Sequence, residues 1–214
     1  MSRHLSPTDH LLSALDRALS RLVDPARQDA ARPSPAPGVA DPAFDERTRA
    51  HVAGLMRVNH AGEVAAQALY RGQALVARDE ATRRKLLDAA REEQDHLRWC
   101  EARLRELGDQ PSRLQPLWYA GSFVIGAAAG LAGDAWSFGF VDETERQVSA
   151  HLGEHIGQLP PDDQRSRAIL ERMRADEERH GRAAREAGGR PLPEPVRQLM
   201  RQIARVMKFS AYRI

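Results

Sequence analysis

"EEQDHLRWCEARLRELG", residues 92–108, carries the spacing of a helix face with a charged pair set into it. Leu86, Ala90, Glu93, His96 or Leu97, Cys100 and Leu104 recur at intervals of three and four, so they form one stripe. A stripe of this kind faces a bundle interior, yet its middle holds a glutamate and, three residues on, a histidine. Residues three apart share a helix face, so Glu93 and His96 can reach one point. The pattern recurs at Glu177-Glu178-Arg179-His180, inside the stripe Ile169, Met173, Glu177, His180, Ala184.

Two further stripes carry a lone glutamate each. One is Val52, Met56, Asn59, Glu63, Ala66, Tyr70, and the other is Phe138, Val141, Glu145, Val148, Leu152, Ile156. "VDETERQ" (141–147) also offers Asp142 and Glu143, but helical phase selects Glu145, since Glu143 falls on the face of Gly139 and Ala150. Glu63 precedes Glu93 by 30 residues and Glu145 precedes Glu177 by 32, so the chain reads as two similar halves. Four unpaired carboxylates in one core are too costly to stand alone, and two divalent cations neutralise them. Four glutamates and two histidines presented this way are the ligand set of ferritin-like di-iron and di-manganese proteins. The predicted metal ligands are therefore Glu63, Glu93, His96, Glu145, Glu177 and His180. An oxygen-rich set with two imidazoles suits iron or manganese. The missing thiolates argue against structural zinc and the imidazoles against calcium.

The predicted class is all-α, a ferritin-like four-helix bundle with additional apolar and C-terminal helices. Helical runs are expected over 45–78, 82–107, 134–158, from Asp162 or Asp163 to Gly188-Gly189, and over 195–209, where Val196, Leu199, Ile203 and Val206 share a face. No useful alternating strand pattern occurs. Residues 1–23 hold an amphipathic helix (6–22) that reads equally as a membrane-surface or partner helix and as a packing arm. Residues 24–43 read as a linker, with five prolines in 24–42 and too little apolar content to build a core. Residues 44–214 form the main domain.

The 214 residues carry a formal net charge of only +2, with basic and acidic residues interleaved, which argues against nucleic acid as a partner. One cysteine, Cys100, permits no internal disulfide and suits a reducing compartment. Asp9, Asp16 and Arg17 interrupt any signal-peptide core. No charge occurs between Arg113 and Asp134. This stretch is just long enough to span a bilayer. It is rich in Gly and Ala and feeds into the Glu145 helix, so an interfacial helix or a wall of an apolar channel is the favoured reading. The plainer alternative is a buried helix that Gly126 and Gly130 allow to pack closely. His60 and His151 lie near ligand positions. For such lone histidines a structural role is favoured over hydrogen bonding behind the ligands.

"MRVNHAGEVAAQALYRGQ" (56–73), "EEQDHLRWCEARLRELG" (92–108), "GDAWSFGFVDETERQVSAHL" (133–152) and "ADEERHGRAAREAGG" (175–189) closely resemble the demethoxyubiquinone hydroxylases of ubiquinone biosynthesis. The "NHAGE" box is the most specific of these, and the resemblance covers residues 44–214. It implies a di-iron monooxygenase with two iron ions per chain, held by the same six residues. Glu93 and Glu177 would bridge, Glu63 and His96 complete one iron, and Glu145 and His180 the other. The implied reaction is hydroxylation of 3-demethoxyubiquinol, a polyprenylated benzoquinol, with O2 and two electrons from a donor of unknown identity. The resemblance also implies peripheral attachment to the cytoplasmic face of the cell membrane and a possible ubiquinone-synthesis complex. The alternatives are a ferritin- or rubrerythrin-like protein handling iron or peroxide, and a non-catalytic quinone-binding membrane protein.

Overall fold

The structure is a computed structural model that describes residues 32–36, 38 and 42–214. The helix expected at 6–22 lies outside the described residues. Among those residues there are six helices and no strand: α1 Glu46–Val76, α2 Glu80–Glu106, α3 Gln115–Leu131, α4 Asp134–Gln158, α5 Gln164–Glu186 and α6 Glu194–Ala211. The class is all-α and ferritin-like, as the stripes predict.

Local chemistry sets the helix ends. Asp45, Asp79 and Asp163 each accept a hydrogen bond from the backbone N–H three residues on, capping α1, α2 and α5. Of the two aspartates expected to cap α5, Asp163 is the one that does so. Gly108 and Gly188 follow α2 and α5 with φ of 74° and 92°, a left-handed turn that closes a helix cheaply only with glycine.

Helices α1, α2, α4 and α5 share one core, to which Met56, Cys100, Leu152 and Met173 each contribute from a different helix. Val148 and Ile156, though in phase, are only partly buried against it. The fully buried Arg103 ties α2 to the start of α5. Its Nη2 donates to Asp163 at 3.1 Å and its Nε to Ser166 at 2.9 Å.

The apolar α3 combines two of the expected roles. Gly126 and Gly130 are buried against α1. A Cβ on Gly126 would stand 2.2 Å from the Leu69 carbonyl oxygen, and one on Gly72 would stand 2.2 Å from that of Phe123. Backbone meets backbone here, so glycine sets the helix separation. The other side of α3 leaves Leu117, Val124 and Leu131 exposed. The apolar face of α6 is likewise uncovered at Val196, Leu199, Ile203, Val206 and Phe209. The end of the proline-rich segment differs from a free linker: Ala36 is buried in the shared core and Arg32 is engaged with α2 and α5.

Candidate metal centre

All six predicted ligands meet inside the bundle. Glu63 comes from α1, Glu93 and His96 from α2, Glu145 from α4, and Glu177 and His180 from α5. Each is buried. One ligand atom from each of Glu63, Glu93, His96 and Glu177 lies within 4.8 Å of the others, and the same holds for Glu93, Glu145, Glu177 and His180. The two groups share Glu93 and Glu177, as two adjacent cation sites with common carboxylates require.

The imidazoles point Nδ1 inward. His96 Nδ1 is 3.1 Å from Glu63, 3.0 Å from Glu93 and 3.2 Å from Glu177. His180 Nδ1 is 3.5 Å from Glu93, 3.4 Å from Glu177 and 3.7 Å from Glu145. The outward nitrogens are held reciprocally across the helix pair. His96 Nε2 lies 3.1 Å from Asp176 of α5, and His180 Nε2 lies 3.3 Å from Glu92 of α2. Carboxylates in this position fix the tautomer and orientation of a ligating imidazole. Arg179 spans both, donating to Glu92 at 2.6 Å and to Asp176 at 2.7 Å. Sequence reasoning missed Glu92, Asp176 and Arg179. A signal existed: each Glu-x-x-His is preceded by an acidic residue. Four residues ahead of the histidine, it falls about 40° from it around the helix and can face the neighbouring histidine.

Burial, then repulsion from neighbouring carboxylates, raises Glu63 and Glu145 well above the usual carboxylate range. Burial pushes Glu93 and Glu177 the same way, but hydrogen bonds to both histidines overcome it and hold them low. Burial opposes charge on His96 and His180, yet the surrounding carboxylates raise both. Hydrogen bonding to His180 takes Glu92 to about 2 against the effect of its partial burial. Charge is thus favoured on the two imidazoles and on Glu93 and Glu177, and disfavoured on Glu63 and Glu145. Both oxygens of Glu145 are nevertheless buried without a hydrogen-bond donor. Inward-facing carboxylate oxygens short of donors fit divalent cations.

Beside this cluster lies a mostly apolar cavity of about 350 Å³. Its walls include Gly62 and Ala66 of α1, Trp118 and Ile125 of α3, Thr144 of α4 and Met207 of α6. Gly62 and Thr144 are the immediate chain neighbours of Glu63 and Glu145. His151, also on the wall, lies 3.1 Å from Asn59 Oδ1, and His155 Nδ1 lies 2.8 Å from the same oxygen. Burial lowers both, His155 to about 4, so each is a neutral imidazole donating to that carbonyl. His60 pairs instead with Glu101 at 3.4 Å. His60 and His151 thus have partners other than the six clustered side chains. Glu143 is held by Arg146 and Gln147, away from the cluster as helical phase required.

The family model for ubiquinone biosynthesis protein COQ7 matches residues 50–211. A protein of Cupriavidus taiwanensis named 3-demethoxyubiquinol 3-hydroxylase is 59% identical over 208 residues, covering 96% of this chain and 100% of its own. Proteins of the same name from Ralstonia pickettii and Xanthomonas axonopodis pv. citri are 57% and 55% identical. They cover 96% and 98% of this chain and 99% and 95% of their own lengths.

Proposed function

This chain belongs to the ubiquinone biosynthesis protein COQ7 family, and on that premise we propose that it is a 3-demethoxyubiquinol 3-hydroxylase working at a pair of iron ions. The observation that carries the reading is the convergence of four glutamates and two histidines beside an apolar cavity.

In this proposal Glu63 and His96 would hold one iron and Glu145 and His180 the other, with Glu93 and Glu177 available to both. The overlap of the two ligand groups supports that division. Bound iron supplies O2 activation and redox chemistry that side chains lack. Asp176 and Glu92 keep the imidazole Nε2 protons pointed outward, leaving Nδ1 free to ligate. The walls of α1, α3 and α4 receive the quinol ring and exclude water. The apolar side chains of α3 and α6 on its wall suit a polyprenyl tail. Storage of iron needs no such apolar space, so the cavity favours the hydroxylase.

We place the protein peripherally on the cytoplasmic face of the cell membrane. Among the described residues no helix is long and apolar enough to cross one. The exposed apolar faces of α3 and α6 support surface attachment. On α6, Arg197, Arg201, Arg205 and Lys208 share a separate face, where Arg197 and Arg201 pair with Glu194. Electrons come from a separate donor, and a ubiquinone-synthesis complex is the natural setting.

The direct test is turnover of purified, iron-loaded protein with 3-demethoxyubiquinol, a reductant and 18O2. The proposal expects one 18O atom in the product ring by mass spectrometry. Iron-loaded protein that consumes O2 and leaves the ring unlabelled would refute it.

A further inference from the structure

We propose that Arg32 is a positioning residue for the metal centre, acting on His96 through Asp176; the inference rests on the metal-site reading above. Arg32 lies in the proline-rich segment, ahead of the family-matched residues 50–211.

Asp176 Oδ2 carries the argument. It lies 3.1 Å from His96 Nε2 and accepts from Arg32 Nη1 at 2.8 Å. The other carboxylate oxygen, Oδ1, is engaged by Arg179 at 2.7 Å and approached by Arg172 at 3.4 Å. One oxygen is thus divided between a ligand imidazole and a guanidinium from a distant part of the chain.

Arg32 is itself held from several sides. Its Nε donates to Asp95 Oδ2 at 2.7 Å, and its backbone N–H donates to Asp95 Oδ1 at 3.3 Å. Arg98 also pairs with Asp95. The guanidinium lies over the Trp99 ring at 5.0 Å, and Trp99 Nε1 donates to the Arg32 carbonyl at 3.3 Å. Trp99 in turn stands against the His96 ring, with centroids 5.3 Å apart. Four residues on, Ala36 is buried in the shared core, so the backbone cannot swing away without opening it.

Two effects on His96 follow. The fork of Arg32 between Asp95 and Asp176 fixes where the accepting oxygen sits, and so the plane of the imidazole. Its positive charge also draws on Asp176, which limits how strongly that carboxylate polarises the Nε2–H bond. Without Arg32, His96 is less well aimed and a stronger electron donor. The action is one-sided. Glu92, which lies against His180, has Arg179 at 2.6 Å on its carboxylate; Arg32 reaches that carboxylate only to 3.7 Å and donates instead to the Glu92 backbone carbonyl at 3.5 Å. Arg32 therefore tunes the ion on His96 far more than the ion on His180.

That asymmetry is what a test can read. Full-length wild type, Arg32→Ala and Arg32→Lys are titrated anaerobically with Fe(II). Near-infrared magnetic circular dichroism then follows the ligand-field bands of each ferrous ion. For Arg32→Ala one of the two binding steps should weaken about threefold to tenfold, below the tenfold to hundredfold that losing a direct outer hydrogen-bond partner costs, because Arg32 acts one contact further out. The bands of that ion should shift while those of the other stay. Arg32→Lys keeps the charge but cannot fork, and should fall between. A folded Arg32→Ala with wild-type affinities and bands overturns the proposal, as does equal weakening of both steps, the mark of general loosening. If Arg32→Ala does not fold by circular dichroism, Arg32→Lys decides: wild-type bands overturn the proposal and a one-sided shift upholds it. Wild type that takes up no Fe(II) pair refutes the metal-site reading itself, and with it this inference.

Discussion

Loading the centre with metal should expel protons. Burial raises Glu63 and Glu145 above the usual carboxylate range, and the carboxylates around His96 and His180 raise both imidazoles, so all four residues hold protons more tightly than usual. Ligation needs anionic glutamates and neutral imidazoles. Divalent cations therefore compete with protons at these four residues. Affinity rises with pH, because metal binds the deprotonated forms. It keeps rising until the raised pKa values are passed. Each proton so linked changes the affinity for the pair about tenfold per pH unit, worth about 1.4 kcal/mol. Calorimetric titration with Fe(II) under argon, in buffers of differing ionisation heat, counts the protons directly. Net proton release is expected near neutral pH. A count of zero, with pH-independent affinity, would refute the raised acids and imidazoles.

Two further outcomes follow from packing and burial. Gly126→Val should destabilise the fold by at least about 1–3 kcal/mol in urea denaturation, because its Cβ would stand 2.2 Å from a carbonyl oxygen that cannot yield; an unchanged midpoint contradicts the close approach of α1 and α3. His155 is neutral in the fold with its pKa lowered to about 4, so the unfolded chain binds the extra proton first as pH falls. Compared with His155→Asn, wild type should lose roughly 3 kcal/mol between about pH 6.5 and 4; parallel pH profiles would contradict a buried neutral His155.

The face that carries the clustered side chains was legible because helical period alone reports which side chains share a stripe. A glutamate at the centre of an apolar stripe is expensive enough to demand a reason. The same logic chose Glu145 over Glu143, and the structure puts Glu145 in the cluster and Glu143 on Arg146. Period does not say which helix a flanking residue will meet, so the reciprocal grip of Glu92 on His180 and Asp176 on His96 stayed hidden. Composition does not report what single residues within 24–43 can reach. A proline-rich segment cannot build a core, but one arginine with two carboxylates to reach and one alanine that fits a gap can still fasten it. The apolar α3 was ambiguous for a good reason. Its glycines pack on α1, Trp118 and Ile125 line the cavity, and Leu117 and Val124 face outward, so one short helix serves three environments. The choice of iron over manganese rests on the family, since four carboxylates and two imidazoles accept either.

The central claim is that this chain hydroxylates 3-demethoxyubiquinol and that the clustered carboxylates are needed for it. Cells deprived of their own 3-demethoxyubiquinol hydroxylase, given either the wild-type chain or Glu177→Ala, test both parts through their quinone profile by mass spectrometry. The account predicts that wild type restores ubiquinone and that Glu177→Ala, expressed at the same level, leaves the demethoxy precursor to accumulate. Full ubiquinone with Glu177→Ala, or none with wild type, would contradict it.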